Sequence, residues 1–478
     1  MMLLFRKKYD NSMLLKIIIF YSFALIILIL FSGKTKDPDT YWHIKAGEYI
    51  INNGIPRTDP FSWFGLEQGL KWVNHEWLFG VFIYSIYSIF GIKGVYFFSF
   101  TMSLLLYYLI FVWTNKLTGN LSISLFVAML SMFGSLANLA PRPQIISFCL
   151  FIIFCLLMEK KKYYLVILII ILGVNLHGGV YPIYIILGGY YLFKEVSIKK
   201  FIGLMSIYLL AILANPYTYD IYLYTIRTFQ YNRSFIQEWN PVILIQYPYM
   251  LGSIILLIFL TRYGDINFKD IMFITIFSVF SIVYLRNIIF LFIFVYPVAS
   301  KYFAPSINYY KSKLPLKYTA LISKQLKVSE RNLVLNTIFS IIVIGLIFTP
   351  TVLLNIYNTM SEEDEHYPVA AVKFINSNPS VKNIMSEYGD GGYLIFNNIP
   401  TLIDGRADLF TKSFNGVTVL DDYVKTYTLD MKYWDFINKY NVEYVLLNNT
   451  SILSKVLVLD DRIKTVYEDN KYTLYKVN

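Results

Sequence analysis

The chain alternates long apolar runs with short polar stretches, and most of the runs show no polar face of the kind a half-buried helix needs. A basic start (Arg6, Lys7, Lys8, Lys16) leads into an apolar run ending near Phe31. No small-residue cleavage site follows it, so the run predicts a retained first helix with the N-terminus inside. Further runs at 94–114, 121–138, 144–158, 163–176, 179–193, 201–214, 244–261, 270–284, 287–300 and 333–356 predict membrane spans, about eleven with the first. The apolar stretch 75–90 is short and reads as a helix lying at the outer interface. Between the first helix and this stretch lies a long polar interruption, Asp37 to Trp77, within an outer loop taken as 33–77.

Beyond residue 358 the apolar runs shorten and turns appear. YPVAAVKFINSN and DMKYWDFINKY predict helices; KNIMSEY, YLIF, TLIDG and EYVLLNN predict strands; the end predicts a hairpin turning at Asp469-Asn470. The reading is a polytopic α-helical membrane domain over 1–357 and a soluble extracytoplasmic α/β domain over 358–478, with no internal repeat.

Composition agrees. Of 478 residues, 56% are hydrophobic and only 15% charged, and the mean hydropathy is +0.51. A net charge of +11 raises the question of nucleic acid. Its distribution excludes that partner: Lys116, the Glu159–Lys162 run, Lys194, Lys199, Lys200, Arg262, Lys269 and the 301–331 stretch cluster on one side of the predicted spans, as the positive-inside rule requires. The same rule puts the 37–77 loop and the C-terminal domain outside the cell membrane. Cys149 and Cys155 share one apolar run, which indicates neither a disulfide framework nor a zinc site. The four histidines (His43, His75, His177, His366) show no metal-site spacing, and no phosphate-binding glycine loop, HExxH or GxSxG occurs.

The candidate chemistry lies in the outer segments. The 37–77 loop carries Asp37, Asp39, His43, Glu48, Asp59, His75 and Glu76, with Trp42, Trp63, Trp72 and Trp77 among them. A connector requires no such crowd. The same side receives Arg142 in APRPQ, His177 in NLHGG, and Asp220, Arg227, Arg233, Glu238 and Arg286. Acids beside arginines suit transfer from a lipid-linked phosphate donor: a carboxylate takes a proton or holds a divalent ion, and guanidinium groups neutralise the leaving phosphate. A helix over 39–51 would set Asp39 and His43 on one face as a base and its partner. Arg142, His177 and Arg286 are the expected donor-phosphate side.

The order of one helix, a long outer loop opening with an acid, many helices and a C-terminal outer domain resembles the GT-C superfamily of membrane glycosyltransferases. DPDTYWHIKAGEYIINNGIPRTDPF is similar to the first outer loop of oligosaccharyltransferase catalytic subunits, and IMSEYGDGGYLIFNNIPTLIDGRADLF to their acceptor-recognition segment. Tyr388-Gly389 stand where that family has paired tryptophans, and NLAPRPQ lacks its acidic pair. The resemblance implies Asp39, with Asp37 as second choice, as the catalytic acid and tentative ligand of a divalent cation (Mg or Mn). Trp42, His75, Glu76, Asp390, Tyr393 and Arg406 would then face the acceptor. The implied partners are the bilayer, a polyprenyl-phosphate sugar donor and a cell-envelope glycan or glycoprotein acceptor. A transporter or flippase of a lipid-linked or polyanionic precursor is the alternative, and a non-catalytic envelope-assembly protein the third reading. Topology is open to a direct check: cysteines replacing Glu67 or Lys412 are expected to react with an impermeant reagent on intact cells, and one replacing Lys313 is not. Labelling at 313 but not at 412 would reverse the orientation.

Overall fold

Glycine and proline decide where the helices stop. The computed structural model describes residues 37–134, 140–230, 235–243, 247–313 and 366–478; the first and last expected spans and the 357/358 boundary lie outside the described residues. The outer loop begins with α1 (Asp39–Asn53) and α2 (Trp63–Gln68). There follow α3 (Trp77–Thr118), α4 (Leu121–Gly134), α5 (Pro143–Glu159), α6 (Leu165–Leu176), α7 (Tyr181–Leu192), α8 (Ile198–Ile212), α9 (Asp220–Thr228), α10 (Pro248–Thr261), α11 (Phe268–Val283) and the helical run α12 (Leu285–Tyr310).

The expected interfacial helix and the 94–114 span are one element, α3, broken at Gly91, whose φ of 64° suits a residue without a side chain. Every apolar run expected between 94 and 300 contains a helix. Among the described residues only α3 and α12 are long and apolar enough to cross a bilayer by themselves. The others are shorter because polar turns such as APRP and NLHGG cut in at their ends, and those turns carry the candidate chemistry. Trp113, Phe151, Phe154, Tyr184, Tyr208, Phe277 and Phe294 fill the centre of the bundle, while Phe90, Phe97, Leu168, Leu210, Ile255, Ile258 and Phe268 stay exposed on its outside. An apolar exterior around an aromatic core is what lipid contact allows and water does not.

The C-terminal part holds a four-stranded sheet in the order β1-β2-β4-β3. The strands are β1 (Ile384–Ser386), β2 (Tyr444–Asn448), β3 (Ile463–Glu468) and β4 (Tyr472–Val477). β1 runs parallel to β2, and β4 is antiparallel to both its neighbours. Helices α13 (Val369–Asn376), α14 (Gly391–Phe396), α15 (Val419–Tyr427), α16 (Tyr433–Tyr440) and α17 (Ile452–Leu457) accompany it. Two expected strands are corrected. YLIF is helical, within α14, because a short apolar run has no decisive period. TLIDG forms only a bridge between Thr401 and Ile384, then leaves the sheet to carry Asp404 and Arg406 away from it.

The outer loop and this domain share one core. Trp42, Phe61, Trp63, Leu70 and Trp72 pack with Met385, Leu402, Ile403, Phe410 and Phe436. Trp63 Nε1 donates to the Ile384 carbonyl at 3.1 Å, and Asn415 exchanges two hydrogen bonds with the backbone of Lys71. At the centre sits Arg406, whose guanidinium donates to Asp59 and Asp404, each at 2.6 Å, and lies 4.7 Å from the Trp72 ring. All three ionic groups are at most 3% exposed. Arg406→Ala strands two buried carboxylates and is expected to cost about 3–5 kcal/mol in denaturant unfolding. Arg462→Ala, which breaks an exposed pair with Asp460, is expected to leave the unfolding curve nearly unchanged.

Candidate active site

Four segments converge on a cavity of about 810 Å³ between the membrane helices and the C-terminal domain. Asp39 opens α1 and keeps a quarter of its side chain exposed. Trp42 Nε1 donates to its Oδ1 at 3.0 Å, and Arg142 Nη2 lies 3.1 Å from its Oδ2. Burial pushes the Asp39 carboxyl up to about 7, reinforced by Asp37 and Glu238 and opposed by Arg142 and Trp42. Asp37 is different. It is 3% exposed, accepts the backbone N–H of Asp39, and grips Arg142 through both carboxylate oxygens. It caps the helix and holds the arginine.

Arg142 follows Pro141, with Pro143 opening α5 behind it, so the turn presents its side chain to the cavity. From there the charges alternate: Arg142 Nη1 meets Glu238 Oε2 at 3.3 Å, and Glu238 Oε1 meets Arg286 Nη1 at 3.2 Å. Arg286 also lies over the Trp239 ring at 4.4 Å. Val180, Ile183, Phe229, Phe280, Leu285 and Phe290 line an apolar part of the same cavity.

The histidines sit apart from this row. His43 does not partner Asp39 as expected from the shared face of α1. The Trp42 ring lies 3.7 Å from the His43 ring, tilted by 32°, and takes the bond to Asp39 itself. His43 Nε2 instead lies 3.6 Å from Glu76 Oε2. His177 Nε2 and His75 Nε2 lie 3.4 and 3.6 Å from Glu76 Oε1. Three of the chain's four histidines therefore surround one glutamate, a convergence that local spacing does not reveal. Burial pushes Glu76 up to about 8 and holds His43 and His177 well below the usual imidazole range. His177 lines the same cavity as Arg142 and Arg286, but its Nε2 is turned to Glu76 rather than to the row of arginines.

Two acceptor candidates are also relocated. Asp390 is buried, accepts from the Tyr472 hydroxyl at 3.2 Å, and is pushed up to about 8 by burial and by Glu387. Tyr393 packs between Tyr41 and Tyr367. Tyr393 thus packs the domain against α1, Asp390 pairs within the domain, and neither is among the residues lining the cavity. The GDGG turn reaches the cavity through Tyr388 and Gly389, and the Tyr388 hydroxyl donates to the Gly405 carbonyl at 3.0 Å. Arg406 borders the cavity but is held in its buried triad. Glu238, which links the two arginines, was visible in the sequence as a lone outer acid but not as a member of the site.

The fold can now be compared with known proteins. Over 96% of this chain and 97% of the other, it is similar to ArnT from Cupriavidus metallidurans bound to undecaprenyl phosphate, with a TM-score of 0.50 and 10% identity. The fold is of the GT-C type. The apo ArnT structure superposes equally, at a TM-score of 0.50 and 12% identity. The Archaeoglobus fulgidus oligosaccharyltransferase covers 93% of this chain and 70% of its own, at a TM-score of 0.48 and 12% identity. No protein-family model and no curated protein matches the chain. ArnT and the oligosaccharyltransferase are membrane glycosyltransferases of the GT-C superfamily.

The divalent cation expected at Asp39 finds a poor set of donors. One oxygen of Asp39 is bonded to Trp42 and the other is paired with Arg142, while Asp37 is spent on the same arginine. A hard cation needs several free oxygens. The closeness of the C-terminal domain gives a steric check. A Cβ built at Gly405 would fall 2.2 Å from Asp39 Oδ1. Gly405→Ala is therefore expected to displace the Asp39 carboxylate and lower turnover at least tenfold, on the order of what misplacing a catalytic group costs, while detergent-solubilised protein still elutes as wild type. Wild-type turnover in Gly405→Ala would show that Asp39 need not hold this position.

Proposed function

We propose that the protein transfers a sugar from a polyprenyl-phosphate donor to an extracytoplasmic cell-envelope acceptor, a glycan or a protein. The observation that carries the reading is the junction of Asp39, Arg142 and Arg286 with an apolar lining in one cavity. The apolar lining receives the first isoprene units of the carrier. Arg142 and Arg286 bind the donor phosphate at the place where the Glu238 carboxylate now lies between them. The acceptor hydroxyl approaches Asp39. As the acceptor oxygen bonds to the anomeric carbon, its proton passes to Asp39 and the bond from that carbon to the phosphate oxygen breaks. The charge left on the polyprenyl phosphate is taken up by the two guanidinium groups. Trp42 and Arg142 fix the Asp39 carboxylate, so the base costs no reorganisation at the moment of reaction.

The core shared by the 37–77 loop and the C-terminal domain supports their lying on one side of a multi-pass membrane protein, and the positive-inside distribution of lysines supports that side as the outer one. The expected eleven spans belong to the same reading.

Release of labelled sugar from a polyprenyl-phosphate donor in membranes tests it. Asp39→Asn is expected to lower transfer on the order of a hundredfold or more, because the amide keeps the size and loses the base. Asp37→Asn cannot serve as a silent control, since it loosens the clamp on Arg142. Glu48→Gln on the same helix, where the side chain is paired only with a neighbouring lysine, is the better one. The base must be deprotonated to work. Transfer should therefore fall as pH drops through about 7 and level off above it, and the residual rate of Asp39→Asn should lack that limb. Full activity in Asp39→Asn would remove the catalytic assignment.

A further inference from the structure

The cluster around Glu76 is not needed by the transfer chemistry above, yet it is built with care. α3 begins just after Glu76, and α6 ends just before His177. The two segments are tied together on both sides of the cluster. Trp77 Nε1 donates to Asn175 Oδ1 at 2.9 Å, and the Gly178 N–H donates to the His75 carbonyl at 2.7 Å. A Cβ at Gly178 would crowd that approach, lying 3.2 Å from the same carbonyl oxygen and 3.0 Å from Ile221 Cδ1. The His75 ring is stacked on Tyr224 at 4.1 Å. His177 Nδ1 lies 3.1 Å from Ser147 Oγ, which leaves its Nε2 turned to Glu76.

The distances are the informative part. Nitrogen to oxygen separations of 3.4 and 3.6 Å are long for hydrogen bonds, and the rings do not donate to the carboxylate at normal length. They are close to the edge of a tetrahedron with metal–ligand arms of 2.0–2.1 Å, roughly 3.3–3.4 Å. One donor atom from each of His75, Glu76 and His177 lies within 4.8 Å of the others. On the far side, His43 is 2% exposed, faces the second Glu76 oxygen, and has an Nδ1 with no hydrogen-bond partner. A buried imidazole in that state is well suited to holding a carboxylate whose other oxygen is occupied by an ion.

We propose that His75, Glu76 and His177 form a binding site for a zinc-class divalent transition metal, with His43 and Ser147 orienting two of the ligands. Two imidazoles and one carboxylate favour zinc and its neighbours over magnesium or calcium, which prefer oxygen sets. All three ligands border the cavity, so the fourth coordination position opens towards it. On the reading of the cavity as a transfer site, that position would accept an oxygen of the sugar or of the acceptor.

The test reads metal rather than turnover, so it stands whether or not sugar transfer is found. The full-length protein in detergent, stripped with a chelator, is titrated with Zn²⁺ and separately with Co²⁺. One ion per chain and visible Co²⁺ bands of tetrahedral intensity are expected, unaffected by excess Mg²⁺. Ser147→Ala should weaken Zn²⁺ binding about tenfold, as loss of an orienting partner does, and Glu76→Gln or His177→Ala by more. His177→Gln covers the case in which the alanine fails to fold, and His366→Ala should bind as wild type. Less than one Zn²⁺ per chain, displacement by Mg²⁺, or an unchanged Co²⁺ spectrum in both Glu76→Gln and His177→Gln would overturn the site.

Discussion

A charge taken out of water must be answered on the spot, and in this protein Arg406 is where that rule acts most strongly. Its guanidinium is sealed between Asp59 and Asp404 and roofed by Trp72 and Phe61. Asp59 in turn accepts the backbone N–H groups of Phe61 and Ser62, so the same carboxylate shapes the loop that leads into α2. The outer loop cannot take its form without the C-terminal residue, nor can the arginine be buried without the loop. Trp72 on one side of the cavity and Gly405 on the other owe their placement to this one contact. Such buried pairs add little net stability over an apolar core, but they define position closely.

Arg142 applies the same rule at the cavity itself. Three carboxylates, Asp37, Asp39 and Glu238, surround it, and Glu238 passes the link on to Arg286. The two arginines therefore stand already satisfied. A phosphate that enters does not find bare cations; it exchanges with a carboxylate. Affinity for the head group is then a difference between two similar interactions, and the apolar lining supplies the remainder by burying the carrier's tail. Under the proposed function, this division would favour a lipid-linked phosphate over a free one.

Much of the fold was readable because a bilayer punishes polar residues. Apolar runs marked the helices, and the polar turns between them marked the chemistry: Asp39, Arg142 and Arg286 all reach the cavity. What was not readable depends on contacts between distant segments. Of the first-loop tryptophans, Trp42 was expected at the acceptor, and it does border the cavity. What was not visible is that Trp42, Trp63 and Trp72 also fill the core shared with the C-terminal domain, and that Trp77 holds Asn175. His43 and Asp39 share a helix face, yet the indole of Trp42 comes between their roles. Asp390 and Tyr393 matched a family segment, but in this chain they are held in packing against Tyr472 and Tyr367. Each member of the histidine cluster was singled out as a candidate, but their meeting was not legible, because they come from α1, the segment just before α3 and the turn just after α6.

The bond between Arg406 and Asp59 joins residues 347 positions apart. A ribosome makes the first partner long before the second. Until residue 406 has been synthesised, Trp63, Phe61 and Leu70 lack the C-terminal half of their core, and Asp59 lacks Arg406. The outer loop must therefore wait in an unfinished state while the membrane helices assemble, exposed to the hazards of any late, long-range contact. The cavity is the last part of the molecule to exist. A chain interrupted anywhere before its C-terminal domain would carry Asp39 and Arg142 without the wall that Tyr388 and Gly405 give the cavity.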